Sequence, residues 1–207
     1  MIVIGAKGHA KEVLEIIESK EDTSKVSFFD NVSKPSEDYL FDKYPIIHSI
    51  DSLNFEKDPY FLSAIGNPIA RKRVVKLFEE KGGIYKSIIA SNAIIGNYEV
   101  IISDGCNIMQ GVFISNSVQI GKGTLINTKA MIHHDVTIGS FCDISPGAIL
   151  LGHVLVGNQT SIGAGAIILP KIKIGDNVII GAGSVVTKDV PSGTMIVGNP
   201  GKILKQN

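Results

Sequence analysis

Residues 125–157 read LINTKAMIHHDVTIGSFCDISPGAILLGHVLVG, and every sixth position in them is aliphatic: Ile126, Ile132, Ile138, Ile144, Leu150 and Val156. Two residues before each stand Thr124, Ala130, Val136, Cys142, Ala148 and Val154, all small or β-branched. The beat runs back to Ile102 and forward to Val186 without a miss, fifteen positions in all. A fixed hexapeptide period is the signature of a parallel β-helix. Three hexads close one triangular coil, so residues 18 apart stack and the inward aliphatics form one continuous core. The beat predicts roughly five coils, about 24 Å tall at one strand spacing per coil. It begins weakly near Ile84, through Ala90 and Gly96, and the tail VPSGTMIVGNPGKILKQN leaves it and is expected to lie along the helix exterior.

Residues 1–85 have another texture and read as a separate domain, with the β-helix and its tail taking residues 86–207. IVIG (from Ile2) is a short strand, followed by the loop AKGH and by AKEVLEIIESK, in which Val13, Leu14, Ile16 and Ile17 mark one helical face. VSFFD is a second strand ending at Asp30, NVSKPSEDYLFDKYP is polar and reads as loop, and YFLSAIG is a third strand. IARKRVVKLFEEKGG is an amphipathic helix with Gly82 and Gly83 as its stop. Strand, glycine loop, helix, strand is a βαβ unit, so a small Rossmann-like parallel sheet of three or four strands is expected.

Composition excludes several classes. The chain has 207 residues, with 20 basic and 20 acidic. Its longest basic tract is Arg71-Lys72-Arg73, a weak footprint for nucleic-acid binding. Cys106 and Cys142 sit on the small inward beat and read as buried apolar residues rather than a disulfide. MIVIGAKGHA has no basic leader and no stretch is long enough to span a membrane, so a cytoplasmic protein without membrane or nucleic-acid partners is expected.

Chemistry gathers where the glycine that often follows the aliphatic position is replaced. His133, His134 and Asp135 follow Ile132 at a corner, where side chains point away from the core. An imidazole beside a carboxylate makes a general base, the carboxylate fixing the tautomer. Stacking by 18 puts Gly152 one coil along from His134, where its N–H would face an oxyanion, and His153 one coil along from Asp135. In the first domain, GAKGHA joins a strand to a helix N-terminus, a setting that favours phosphate, although it is not a GxGxxG fingerprint. Asp30 and Gly66, at the next two strand ends, complete a nucleotide-sized crevice.

These residues resemble the bacterial nucleotide-sugar N-acetyltransferases and sialic acid O-acetyltransferases of the left-handed β-helix superfamily. VIGAKGHAKEV, FFD, AIGNPIARK, INTKAMIHHDV, PGAILLGHVLVG, IIGAGSVVTKDV and VGNPGK follow in family order. The resemblance implies a left-handed helix, a homotrimer, and acetyl-CoA as co-substrate in a groove between neighbouring helices, with no metal. It implies His134 as general base supported by Asp135, and Asn127 near the acceptor sugar. It implies Asp143, Gly152, Ala164 and Ala182 along the acetyl-CoA path, and Lys7, Gly8, His9, Asp30, Asn31 and Gly66 as nucleotide-sugar contacts. Relatives commonly carry histidine in place of Asp143 and close on GNPAK where this chain has GNPGK. A carboxylate at 143 would instead bind a substrate ammonium or face solvent. The expected activity is acetyl transfer to the amino group of a nucleotide-linked amino sugar. The alternatives are O-acetylation of a sialic acid or related sugar, a metal-dependent hydratase using His133, His134 and His153, and a non-catalytic β-helix binding module.

Overall fold

The computed structural model describes residues 1–20, 23–32 and 38–206. The first domain is built from β1 (Ile2–Ile4), α1 (Gly8–Glu18), β2 (Ser27–Phe29), β3 (Tyr39–Leu40), β4 (Tyr44–Ile47), β5 (Tyr60–Ser63), α2 (Pro68–Glu80) and β6 (Ile84–Tyr85). The strands form one sheet in the order β3-β4-β2-β1-β5-β6. All neighbours are parallel except β3 and β4. The sheet thus has six strands where three or four are expected. Two of the extra ones come from the segment read as loop, of which residues 33–37 lie outside the described residues. The β3–β4 hairpin turns through Phe41 (φ 56°) and Asp42 (φ 52°). Such turns usually announce themselves with Asn-Gly or Asp-Gly, and Phe-Asp gives no such signal.

Both helices are where the apolar period puts them. α1 buries Ala10, Val13, Leu14, Ile16 and Ile17. α2 starts at Asn67, whose Oδ1 accepts the Ala70 N–H at 2.9 Å, with Pro68 at its first position. An Asn cap followed by Pro satisfies one orphan donor and removes another. Phe29, Phe61, Phe78 and Tyr85 form an aromatic cluster, Phe61 and Tyr85 stacked at 5.0 Å. The Tyr85 ring covers Gly105 of the β-helix, where a Cβ would come 2.1 Å from it, so the two domains meet in direct packing.

The β-helix has three faces of parallel strands. The first face stacks Ile88–Ile89, Asn107–Ile108, Leu125–Ile126, Asp143–Ile144, Ser161–Ile162 and Ile179–Ile180. The second stacks Ile94–Ile95, Phe113–Ile114, Met131–Ile132, Ile149–Leu150, Ile167–Ile168 and Val185–Val186. The third runs from Ile101–Ile102 through Gln119–Ile120, Thr137–Ile138 and Leu155–Val156 to Lys173–Ile174. Beat positions from Ile108 to Val186 are buried, each contributing roughly 1.5–3 kcal/mol by leaving water.

The helix starts one coil earlier than the beat. Asn107 pairs with Ile88 and Phe113 with Ile94, nineteen residues back, whereas Gln119 pairs with Ile101, eighteen back. One extra residue in the corner 96–100 moves the inward positions to Ile89 and Ile95, so Ala90 and Gly96 are not the continuation of the beat. The tail departs for the same kind of reason. Met195 pairs with Ile179, only sixteen residues away. Thr194–Val197 therefore extends the first face in parallel, and Lys202–Gln206 folds back antiparallel on it. The tail is part of the sheet rather than an exterior strap.

Every sixth residue from Gly105 to Gly183 has positive φ, among them Lys129, Asp135 (60°), His153 (62°) and Lys171. These left-handed residues turn the chain between faces. Along the edge joining the third face to the first, Cys106 and Cys142 alternate with Thr124 and Thr160. Their Sγ and Oγ1 donate to Gly121, Gly157, Gly139 and Gly175 carbonyls at 3.3, 3.0, 2.8 and 2.8 Å. Both thiols are free and buried. They act as donors in a ladder, a role that their reading as small apolar residues does not include.

Candidate functional site

His134 and Asp135 lie on the edge between the second and third faces. The His134 Nδ1–H donates to Asp135 Oδ2 at 2.6 Å. That bond leaves the Nε2 lone pair available to take a proton. The hydrogen bond from His134 is the main reason the Asp135 carboxyl titrates below its ordinary value; desolvation opposes it, and the electrostatic pull of His153 and His134 adds to it. Gly152 lies directly beneath the imidazole, where an added Cβ would meet Cε1 at 2.5 Å and Nε2 at 2.7 Å. Its carbonyl accepts from Lys171, while its N–H has no backbone acceptor among the described residues. An unspent donor beside a general base is the geometry of oxyanion stabilisation.

His153 stacks over Asp135 because both occupy the left-handed corner position, one coil apart. Its Nε2 is 3.6 Å from Asp135 Oδ2, and its ring meets that of His134 edge-on at 5.3 Å. His133 points elsewhere, its ring 6.1 Å from that of Phe113. The trio His133, His134 and His153 is therefore not gathered as a hydratase site would need. The residues gathered are His134, Asp135 and His153.

Asn127, Ala164 and Ala182 follow strands of the first face, so they lie on the edge between the first and second faces, away from His134 within one chain. The Asn127 Oδ1 accepts the Thr128 N–H at 2.8 Å and its hydroxyl at 3.1 Å. Asp143 points outward from the first face toward the first domain. Burial raises its carboxyl above the ordinary value, opposed by the Ser145 hydroxyl at 3.0 Å and by the charges of Arg71 and His9.

In the first domain, Lys7, Asp30 and Asn31 line a crevice of about 320 Å³ at the ends of β1, β2 and β5. Asp30 Oδ1 accepts the Val32 N–H at 3.0 Å. Gly8 opens α1 at the crevice rim. His9 turns away from it: its Nδ1 is 2.9 Å from Glu12, and its Nε2 faces Asn107 of the β-helix at 3.5 Å. Gly66 enters through its carbonyl, which accepts from Arg71. Arg71 is the residue that sequence reasoning missed. It is 2% exposed and donates to the carbonyls of Ile65, Gly66, Gly123 and Cys142 at 2.6–2.8 Å, tying the crevice lip to two coils of the helix. Burial lowers its pKa. Its place on the apolar face of α2, in line with Val75 and Phe78, is the one signal that could have found it.

Fold and site define a two-domain hexapeptide-repeat protein with a His–Asp pair on one edge of its β-helix. The comparisons narrow this. Residues 1–78 match the PglD N-terminal domain, and residues 117–152 and 153–188 match the bacterial transferase hexapeptide (six repeats). Comparison with curated protein sequences returns no match. Among solved structures, the acetyltransferase domain of PglB from Neisseria gonorrhoeae, in complex with acetyl coenzyme A, is 30% identical with a TM-score of 0.88, covering 98% of each chain. PerB from Caulobacter crescentus, in complex with CoA and GDP-perosamine, is 29% identical with a TM-score of 0.89, over 99% of this chain and 96% of that one. WeeI from Acinetobacter baumannii is 29% identical with a TM-score of 0.88, over 98% of each. The chain belongs to the hexapeptide-repeat sugar acetyltransferases. Among the described residues no helix is long and apolar enough to cross a membrane.

Proposed function

We propose that this protein transfers the acetyl group of acetyl-CoA to the amino group of a nucleotide-linked amino sugar. The observation that carries the reading is the His134–Asp135 pair set over the unspent Gly152 N–H. Asp135 holds the proton on Nδ1, and Nε2 takes the proton of the amine as it attacks the thioester carbonyl. The Gly152 N–H receives the developing oxyanion. Collapse of the tetrahedral intermediate expels the CoA thiolate, and the imidazolium returns the proton to it. General-base help of this kind is worth roughly 10²- to 10⁴-fold.

The nucleotide is assigned to the crevice of Lys7, Gly8, Asp30, Asn31 and Gly66, with His9 at the domain junction. Support comes from the crevice itself and from the similarity to PerB, crystallised with GDP-perosamine. The acetyl-CoA path over Asp143, Gly152, Ala164 and Ala182 spans two edges of the prism, which supports a site completed by a neighbouring copy. The second face between those edges is apolar outward, carrying Ile94, Phe113, Met131, Ile149, Ile167 and Val185. A homotrimer packed through that face brings the His134 edge of one copy to the Ala164–Ala182 edge of the next.

The test is free-thiol release from acetyl-CoA against a panel of UDP-, GDP- and dTDP-amino sugars together with sialic acid. Turnover confined to an amino sugar is expected. Turnover only with sialic acid would replace the reading with O-acetylation, and no turnover on any acceptor would remove it.

A further inference from the structure

We propose that His134, Asp135 and His153 form a binding site for a divalent transition-metal ion of the Zn²⁺ type, and that the ion silences the general base when bound. The silencing rests on the reading of His134 as base, whereas the site itself does not.

The site follows from the period. Asp135 and His153 occupy the same left-handed corner position one coil apart, and the His153 N–H donates to the His134 carbonyl at 3.1 Å, so backbone hydrogen bonding fixes their spacing. One ligand atom from each of the three side chains lies within 4.8 Å of the others. Two imidazoles and a carboxylate are a donor set suited to a borderline ion such as Zn²⁺. Tetrahedral zinc at about 2.0–2.1 Å from each ligand holds them about 3.3 Å apart. The His153–Asp135 separation of 3.6 Å is near that value, and the His134–Asp135 separation of 2.6 Å has only to widen. Both rings are open to solvent, His134 being 58% and His153 54% exposed, so an ion can reach them from outside. A fourth position faces solvent.

The consequence is a change of tautomer. Without metal, Asp135 accepts the Nδ1–H and the Nε2 lone pair is free. An ion on Nδ1 takes the place of that proton, and the neutral ring then carries its one N–H at Nε2, through exchange with water. No net proton is gained or lost, but the atom that must accept the proton of the amine now holds one. The metal here is an inhibitor that competes with a proton for Nδ1, not a cofactor of acetyl transfer.

The experiment uses untagged, EDTA-treated full chain. Zn²⁺ is titrated calorimetrically into wild type, His153→Ala and Asp135→Asn, and the ¹⁵N shifts of the His134 ring are followed by NMR. One ion bound per chain is expected, with binding lost in both variants and His134 moving from the Nδ1–H to the Nε2–H form. Product formation, measured by chromatography, should fall by about 100-fold in saturating Zn²⁺, the low end of a general-base contribution, and return with EDTA. In His153→Ala the turnover measured without metal, whatever its level, should not fall as Zn²⁺ is added. Absence of binding, or unchanged affinity in His153→Ala, overturns the site. Binding without the tautomer change overturns the silencing. If no acceptor sugar turns over at all, the calorimetric and NMR arms still decide the site, so failure of the acetyl-transfer reading is separable from failure of this one.

Discussion

The imidazole of His134 rests on Gly152, the residue eighteen positions later and one coil along, so closely that a Cβ there would stand 2.5 Å from the ring. Gly152 has no left-handed φ, so alanine is acceptable to the backbone and objectionable only to His134. Gly152→Ala should therefore keep its fold while displacing His134, the proposed base. An activity loss of about 10²-fold, mainly in kcat, is expected for a misplacement of this size. Circular dichroism melting within a few degrees of wild type would show that the loss is local.

Removing the proposed base itself should give the stronger effect. His134 is exposed at a corner, and its side chain contributes to no core. His134→Ala should lower turnover by roughly 10²- to 10⁴-fold with stability nearly unchanged. Full activity in that variant, measured by steady-state kinetics, would end its assignment as base.

Arg71 couples the crevice to the helix. Its guanidinium serves four carbonyls in a buried site. Arg71→Met leaves those acceptors unserved and should cost about 3 kcal/mol or more, read by chemical denaturation. Arg71→Lys keeps the charge but cannot reproduce the planar fork, so it should recover only part of the stability. Because Ile65 lines the crevice and Gly66 follows it, both variants should raise KM for the nucleotide sugar more than they lower kcat.

How far these features were legible from sequence depends on whether they obey the period. The His134–Gly152 and Asp135–His153 stacks follow from counting eighteen, and the structure has them. The first coil did not, because one extra residue between Ile95 and Ile101 shifts the phase, and the tail did not, because its coil is two residues short. The β3–β4 hairpin hid behind a turn lacking glycine and asparagine. Arg71 was obscure for a different reason: its place on the apolar face of α2 hints at burial, but its partners are main-chain carbonyls, which every residue carries, and two of them come only with the packing of the two domains. The same packing turns His9 toward Asn107 and Asp143 toward Arg71, contacts that no spacing within either domain encodes.

Cys106 and Cys142 supply a pH-dependent prediction. Burial pushes both thiols up to about 11, against partial compensation from hydrogen-bond donors and Arg71. In the unfolded chain they ionise near the ordinary cysteine value of about 8.5. Between those values the folded state holds protons that the unfolded state has lost, so stability declines as pH rises. The contribution is complete below about pH 8.5 and is lost on approaching pH 11, worth about 3 kcal/mol per thiol. The double variant Cys106→Ala, Cys142→Ala should flatten this part of the stability–pH curve in denaturant titrations. Native thiols should also react with a disulfide reagent at pH 8 far more slowly than those of the unfolded chain.

The apolar second face provides the last test. Met131 is exposed and Ile149 half-buried in the single chain, within a ladder of six apolar residues facing outward. Contiguous apolar surface of this kind marks an interaction site. Ile149 lies near the middle of the ladder, and its side chain points away from the core that Leu150 fills. Ile149→Arg should therefore leave each β-helix folded while placing a charge on the face proposed to pack between copies. Light scattering after size exclusion should show a trimer for wild type and a monomer for the variant. Since Gly152 and the Ala164–Ala182 edge flank that face, the monomer should lose acetyl-CoA binding in calorimetry even though His134 and Asp135 are untouched. A variant that stays trimeric, or a monomer that binds acetyl-CoA as well as wild type, would show that the groove is not completed by a neighbour.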